Sequence, residues 1–328
     1  RNTVQNGDVY FQLREANNVF YDVLPDIVEN YLGEISKITG REYHVFNYYG
    51  DPDATDVVIA MGSASGVIRD AVDALRAEGK KVGFLQVHLY RPFSAKHFLA
   101  ALPKSAKRIA VLDRTKEPGA YAEPLYLDVV AALRGSKFEN CKMTRGRYGL
   151  GSKDTTPGQI ISVYRNEEKE LFTIGIIDDV TNLSLEVKEN PVTTPEGTTN
   201  CKFWGLGADG TVGANKNSIK IIGDNTDMYA QAYFDYDSKK SGGVTISHLR
   251  FGHTPIRSTY LISQANFVAC HCTAYIYKYN MVQDLVPGGT FLFNTPWTVE
   301  ELDENHLIKI RKENINLLLK YPKKLQNI

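Results

Sequence analysis

The sequence has 328 residues, enough for two globular domains of ordinary size. Lys plus Arg and Asp plus Glu each number 38, and the resulting formal net charge of zero argues against binding to nucleic acid or to an anionic membrane surface. No apolar run approaches the roughly 18 residues of a membrane-spanning helix, and the four cysteines are too few and too unevenly placed for a disulfide framework. With no secretory signal pattern visible, these features predict a cytoplasmic protein.

The first half of the sequence alternates predicted helices and strands. Apolar residues from Val19 to Ile35 recur at helical spacing and predict a helix that buries one face. Residues 57–60 form a short apolar run, which a small-residue turn joins to a second helical pattern. A strand, a turn and a helix in this order are typical of a parallel βα unit. Further strands and helices are predicted at 82–87, 95–102, 108–112 and 122–133. The alternation predicts an open sheet covered by helices on both faces.

A charged stretch with few apolar residues, 165–170, predicts the boundary between two domains, 1–166 and 167–328. The second half also alternates. Strands are predicted at 202–206, 219–222, 231–236, 244–249, 267–271 and 290–294, with a helix at 274–285 and one amphipathic helix from 300 onward that no strand follows. The loop 189–200, rich in Pro, Thr and Gly, is predicted to be an exposed connection inside the second domain. The predicted fold class is therefore α/β, with two domains that are each an open, mostly parallel sheet flanked by helices.

The strongest local signal is a glycine-rich loop at residues 204–216, which read W-G-L-G-A-D-G-T-V-G-A-N-K. Glycine lets backbone N–H groups approach an anion closely, and the N-terminus of a following helix adds partial positive charge. Gly205, Gly207 and Gly210 have the spacing G-x-G-x-x-G, which alone is weak evidence for a dinucleotide. The loop indicates phosphate binding, and the structural alternative is that its glycines serve tight turns and close helix–sheet packing.

Two other groups of residues carry weaker signals. The polar turn 237–243 contains Lys239 and Lys240, which beside a phosphate loop would meet a second anionic group; the alternative is an exposed hairpin. His271 lies between Cys270 and Cys272, but neighbouring strand residues point to opposite faces, so these three side chains do not readily converge on one metal ion. Structural cysteines at the end of a buried strand are the favoured interpretation. The sequence contains no nucleophile elbow and no credible catalytic triad.

Four segments resemble the pyruvate:ferredoxin (flavodoxin) oxidoreductase family, and they are residues 11–20, 86–93, 173–185 and 205–251. The resemblance extends over most of the chain. It implies that the first domain is similar to the C-terminal domain of transketolase and the second to the gamma-type domain of the family. The implied activity is the oxidative decarboxylation of pyruvate with coenzyme A to acetyl-CoA and CO₂, with electrons passed to ferredoxin or flavodoxin.

The resemblance also implies that coenzyme A binds to the second domain. The implied contacts are Gly207, Ala208, Asp209, Gly210 and Thr211, with Lys239 and Lys240. No catalytic residue and no metal ligand is expected in this chain. Thiamine diphosphate, Mg²⁺ and iron–sulfur clusters are expected only in domains that this sequence lacks, because it has neither the family's Gly-Asp-Gly motif with a following Asn nor cysteine clusters. The chain alone is therefore expected to be inactive, to work with the remaining domains or subunits, and to belong to a homodimer in the whole enzyme.

Two other functions were weighed against this one. The first is a non-catalytic module that uses the same fold for protein contacts. The second is a nicotinamide-dependent dehydrogenase, which would rest only on the glycine spacing. The dehydrogenase ranks last because no acidic residue stands in a convincing position about 20 residues beyond the glycines.

Overall fold

The computed structural model describes residues 4–236, 242–298, 301 and 316–320. The chain divides into two compact units, Arg1–Thr193 and Thr194–Ile328. Across the part of the chain that the structure describes, no helix combines the length and the apolar character that crossing a bilayer requires.

The first unit is built on a six-stranded sheet. Its elements are α1 (Gly7–Glu15), α2 (Asn18–Thr39), β1 (Phe46–Gly50), β2 (Asp56–Met61), α3 (Ser65–Ala77), β3 (Val82–Val87), α4 (Ala95–Ala101), β4 (Arg108–Asp113), α5 (Pro124–Leu133), β5 (Lys142–Arg147), α6 (Pro157–Arg165) and β6 (Leu171–Thr173). The strand order is β1-β3-β2-β4-β5-β6, and every pairing is parallel except that of β1 with β3. Residues 57–60 of β2 are all buried, as expected for a strand covered on both faces.

The second unit is also built on a six-stranded sheet. Its elements are β7 (Thr199–Leu206), α7 (Thr211–Asn225), β8 (Tyr229–Tyr236), β9 (Val244–Gly252), β10 (Ala265–Cys270), β11 (Leu285–Asn294) and β12 (Asn316–Lys320), with 3₁₀ helices at Thr273–Tyr277 and Met281–Asp284. The strand order is β12-β11-β10-β7-β9-β8. The first four of these strands are mutually parallel. Strand β9 is antiparallel to both of its neighbours, β7 and β8. The predicted fold class, two α/β units with mostly parallel sheets, is confirmed.

The division between the units lies further along the chain than the predicted boundary near Asn166. Strand β6 follows the charged stretch and completes the first sheet by pairing with β5. The predicted exposed loop also begins inside the first unit, where the Gly158 N–H donates to Asn190 Oδ1 at 2.9 Å. A Cβ at Gly158 would lie 2.1 Å from the Glu189 carbonyl oxygen, so helix α6 and this loop are in close contact. The charged stretch 165–170 gave no indication that β6 and the start of this loop pack within the first unit.

Three predicted elements of the second unit are wrong. Residues 219–222, predicted as a strand, lie within α7, where Thr211, Asn215, Ile219 and Ile222 share the inner face. The predicted helix 274–285 is replaced by the two 3₁₀ helices. The tail, predicted as one helix without a later strand, contains β12, which pairs in parallel with β11. A short apolar run fits a buried strand and a helix equally well, so periodicity does not decide between them.

Candidate functional site

The glycine-rich loop forms a sharp bend between β7 and α7. Ala208 and Gly210 both have positive φ, of 74° and 88° respectively. This conformation is readily adopted by glycine and is unusual for alanine. The Gly207 N–H donates to the carbonyl oxygen of Gly243 at 2.8 Å, which ties the bend to the residue that precedes β9. Ala208, Asp209 and Gly210 are exposed, so no side chain from the described residues covers the bend.

The carboxylate of Asp209 holds the bend from within. Its Oδ2 accepts from the Leu206 N–H and its Oδ1 from the Thr211 N–H, both at 2.8 Å. The second contact places a negative charge at the first turn of α7, where the helix dipole favours it. With the N–H groups of Gly207 and Asp209, which donate to the carbonyl oxygens of Gly243 and Leu206, four backbone donors of the loop are already used within the protein. The N–H groups of Val212 and Gly213, in the first turn of α7, have no intrahelical acceptor.

Thr211 lies beneath the bend. It is buried, and a Cβ added to Gly205 would lie 2.6 Å from its Cβ. Helix α7 thus approaches β7 closely only because position 205 has no side chain. Gly205 therefore serves close helix–strand packing, which is the structural alternative that the sequence offered for the glycines. The threonine hydroxyl lies away from the open side of the bend.

A pocket of about 420 Å³ opens beside the bend. Its lining residues are Leu206, Gly207, Ala208, Asp209, Gly210, Val212, Gly213, Tyr236, Gly243, Val244 and Thr245. Four of the five predicted loop contacts line this pocket, and Thr211 does not. The structure thus assembles the predicted loop, the start of α7 and the facing ends of β8 and β9 around one cavity.

The structure does not describe the predicted lysine contacts. Lys239 and Lys240 lie outside the described residues. The residues on either side of their segment, Tyr236 and Gly243, both line the pocket. Lys216, the last residue of the glycine-rich sequence 204–216, has its Nζ 5.4 Å from the ring centroid of Phe234 and is not among the lining residues.

Sequence reasoning missed the contribution of the β8–β9 hairpin to the pocket. Tyr236 is 54% exposed and lies at the pocket wall, where it offers an aromatic surface. Strand register brings the hairpin to the bend, because Val244 pairs with Leu206 and Thr245 with Gly205. The two predicted strands on either side of the lysine turn were the available signal, but their alignment against β7 was not readable from the sequence.

The cysteine–histidine run does not form a metal site. Cys270 is buried at the end of β10, as the sequence interpretation had it, and burial raises the pKa of its thiol to about 12. Burial likewise raises the pKa of Cys201 to about 11. Burial thus disfavours the reactive thiolate form at both positions, as expected for structural cysteines. Among the described residues, no group of three or more His, Cys, Asp or Glu side chains is placed to hold a metal ion.

Comparisons with known proteins give both units the same relatives. The family model for pyruvate ferredoxin/flavodoxin oxidoreductase matches residues 200–323, and the model for pyruvate:ferredoxin oxidoreductase core domain II matches residues 54–160. The chain is 58% identical to the pyruvate-flavodoxin oxidoreductase of Enterobacter agglomerans over 95% of its own length and 27% of that protein. It is 56% identical to the pyruvate:ferredoxin oxidoreductase of Moorella thermoacetica over 92% of its length and 26% of that protein.

A solved structure, the pyruvate oxidoreductase subunit PORC of Thermotoga maritima, is similar to 38% of the chain and 62% of its own length, with 15% identity and a TM-score of 0.31. The sequence matches, in contrast, are extensive and define a class of oxidoreductase domains. The chain belongs to the pyruvate:ferredoxin (flavodoxin) oxidoreductase family. It spans about a quarter of the length of these curated relatives.

Proposed function

We propose that the second unit binds coenzyme A, with a phosphate group seated against the bend and the first turn of α7. The observation that carries this proposal is the pocket of about 420 Å³ that joins an uncovered glycine-rich bend to a helix N-terminus. Helix N-termini favour anions because their first N–H groups point outward and the helix dipole is positive there. The N–H groups of Val212 and Gly213 are the donors at this position.

The role proposed for Asp209 is to shape the bend. Its carboxylate already accepts two backbone N–H groups and carries a charge that repels phosphate. Gly207, Ala208 and Gly210 are proposed to contact the ligand through their backbone. Thr211 contributes by packing against Gly205 and by donating its N–H to Asp209.

Two further groups suit the other parts of coenzyme A. The ring of Tyr236 at the pocket wall offers a surface on which the adenine base can stack, an interaction worth about 1–3 kcal/mol per base. Lys239 and Lys240 belong to the segment that joins Tyr236 to Gly243, and ammonium groups are suited to the remaining phosphates. These lysines are proposed as contacts on the strength of the sequence.

The wider role proposed for the chain is that of a part of an oxidoreductase that converts pyruvate and coenzyme A to acetyl-CoA and CO₂. The names and extents of the curated relatives support it. Thiamine diphosphate, Mg²⁺ and iron–sulfur clusters are assigned to other domains or subunits, since this sequence has neither the Gly-Asp-Gly motif with a following Asn nor cysteine clusters. The same proposal includes a ferredoxin or flavodoxin acceptor, a homodimeric whole enzyme, and no turnover by this chain alone.

Calorimetric titration of the chain with coenzyme A tests the binding proposal. Val212→Glu places a carboxylate in the pocket while an acidic residue in the first helical turn remains favourable for α7. This variant is expected to lose binding. The matched control is Asn217→Glu, which makes the same charge change at an exposed position on the same helix outside the pocket lining.

Adenosine 3′,5′-bisphosphate is expected to compete with coenzyme A for the wild-type chain. Absence of binding heat for the wild type, together with absence of competition, would refute the coenzyme A assignment. Equal loss of binding in both glutamate variants would show that the charge change acts at long range and not in the pocket.

A further inference from the structure

Helices α1 and α2 expose many large apolar side chains. No residue of α1 is buried, and Pro25 is the one buried residue of α2. The apolar residues of the two helices that are more than 40% exposed are Val9, Tyr10, Phe11, Leu13, Val19, Phe20, Tyr21, Val23, Ile27, Tyr31, Ile35 and Ile38. We call this set the α1–α2 apolar face. The sequence predicted that the apolar residues from Val19 to Ile35 bury one face of a helix. The helix is confirmed, but that prediction is wrong for Val19, Phe20, Ile27, Tyr31 and Ile35, which are exposed.

Helix α2 has two apolar stripes. Pro25, Val28 and Leu32 lie on one side of the helix, and Val28 and Leu32 pack against the core of the first unit. Phe20, Val23, Ile27, Tyr31 and Ile38 repeat every three or four residues, apart from the last step of seven, and so form a second stripe about a third of a turn away. A surface helix of a globular domain normally carries a single apolar stripe, directed at the core. The second stripe therefore indicates a contact outside the first unit's own core.

The exposed area is large for a surface that faces only water. Five aromatic residues of the α1–α2 apolar face are between 52% and 72% exposed, namely Tyr10, Phe11, Phe20, Tyr21 and Tyr31. Since an aromatic side chain buries 150–250 Å² when it is covered, these five expose on the order of 600 Å². The largest apolar patch on a typical soluble monomer is about 300–600 Å², and the aliphatic residues of this face add to the aromatic area.

The charges around the face indicate what covers it. Residues 7–39 contain six acidic and two basic residues, although the whole chain is neutral. Asp26 is paired with Lys96 at 2.8 Å, and Glu29 contacts His44 at 2.5 Å. Asp22, on the polar side of α2, and Glu34, on the second stripe between Tyr31 and Ile38, form no ion pair within the described residues. A complementary surface would be apolar with lysine or arginine at its edge.

We propose that the α1–α2 apolar face docks onto another domain of the oxidoreductase polypeptide, through an apolar surface edged by basic residues. The chain spans about a quarter of its relatives, so most of the polypeptide that would supply this surface lies outside it. This inference rests on the proposed function only in that the chain works as part of the larger enzyme; it does not depend on the coenzyme A site. A second copy of the same face fits less well, because two-fold pairing would bring acidic edges together.

The test uses full-length pyruvate-flavodoxin oxidoreductase of Enterobacter agglomerans, with the photo-crosslinker p-benzoylphenylalanine at the position aligned with Tyr31. Mass spectrometry of the irradiated enzyme is expected to identify a cross-linked peptide from outside the region aligned with this chain. The control places the same group at the position aligned with Lys80, which is exposed on the first unit and lies outside the face. That position is expected to give no such product.

Reversing the charge at Asp22 and Glu34 distinguishes docking onto another domain from pairing with a second copy of the same face. Asp22→Lys together with Glu34→Lys is expected to reduce the Tyr31 cross-link severalfold, because the new lysines would meet the basic edge. A cross-link between the same segments of two subunits, strengthened by this reversal, would overturn the proposal in favour of a second copy. No cross-link, or one to a residue within the aligned region, would also overturn it. Coenzyme A titration of the isolated chain remains a separate measurement, so failure of either proposal is recognisable.

Discussion

The two sheets differ in what they bury. In the first unit, β2 is apolar throughout its buried residues 57–60, and α3 packs an apolar face against the neighbouring strands β1 and β3. In the second unit, the central strands β7 and β9 bury Lys202, His248 and Arg250 as well as apolar residues. Lys202 Nζ lies 2.5 Å from Asp284 Oδ2, and the Arg250 guanidinium lies over the ring of Tyr260 at 5.0 Å.

This difference shows that the second unit maintains a polar interior at a cost to its stability. Burying a charge carries a desolvation penalty of several kcal/mol, which a close partner only partly offsets. The first unit buries the carboxyl groups of Asp113 and Glu123, whereas the second buries the cationic side chains Lys202 and Arg250 on its central strands, so the stability of each unit depends on different titratable and paired groups. Substitution or titration of those groups is therefore expected to change the stability of one unit more than that of the other.

The largest effect is expected for Asp284→Asn. The substitution removes the negative charge beside Lys202, which is only 6% exposed and loses its counter-ion. Breaking such a pair costs about 3–5 kcal/mol, so peptides of β7 and β9 are expected to lose protection against hydrogen exchange while those of β2 and α3 do not. The double variant Lys202→Met/Asp284→Asn is expected to recover most of the loss. Equal loss of protection in both units would contradict this account.

Acidification is expected to weaken the second unit through His248. Burial, with the charges of Lys202 and Arg250 nearby, lowers the pKa of this histidine to about 3. Between pH 6.5 and 3 the unfolded chain binds a proton that the folded chain does not, so stability falls as the pH falls through this window. The cost is about 2 kcal/mol between pH 7 and pH 5.

The variant His248→Gln serves as the comparison for that measurement. The Ile262 N–H donates to His248 Nδ1 at 3.1 Å, and a glutamine oxygen offers a replacement acceptor. The free energy of unfolding from urea titrations, followed by exchange of β9 peptides, is expected to depend less on pH in the variant. An unchanged pH dependence would show that other groups cause the acid sensitivity.

Asp113 is expected to give the first unit the opposite and weaker response. Burial raises the pKa of this carboxyl to about 6, although it accepts from the N–H groups of Leu125 and Tyr126 at the start of α5. The folded state therefore holds the proton more tightly, and stability falls as the pH rises from about 4 to about 6. Asp113→Asn lacks this titration. Its stability relative to wild type, followed by exchange of α5 peptides, is expected to increase over the same range.

The difference between the units also explains what could be predicted from the sequence. The run 57–60 and the helical spacing of Val67, Ile68, Ala71, Val72 and Leu75 predicted β2 and α3, because in these two elements burial follows apolar character. In the second unit, apolar character is a poorer guide to secondary structure and to burial. Ile219 and Ile222 suggested a strand but lie in α7, and Lys202 is more deeply buried than Ile221, which is 60% exposed.

The candidate site was predictable in position but not in detail. Glycine spacing identified the bend, since positive φ at Gly210 and close packing at Gly205 both depend on the absence of a side chain. The capping role of Asp209 was not predicted, because its two acceptor contacts depend on the exact path of the bend. Tyr236 was missed for a similar reason. Its place at the pocket follows from strand register, which a single sequence does not specify.

The smallest effect is expected for substitution of Asp209, at the candidate site of the second unit. Asp209→Asn keeps one oxygen that can accept from Leu206 or Thr211 and removes the charge beside the proposed phosphate position. Affinity for coenzyme A, measured by calorimetry, is expected to increase by a factor of about three to ten, since one screened surface charge contributes about 1 kcal/mol. Asp209→Ala removes both acceptors and is expected to lose about 1 kcal/mol of helix stability, as for loss of a helix cap. Weaker binding by Asp209→Asn, with α7 still protected from exchange, would mean that the carboxylate contacts the ligand directly, as the family resemblance had implied.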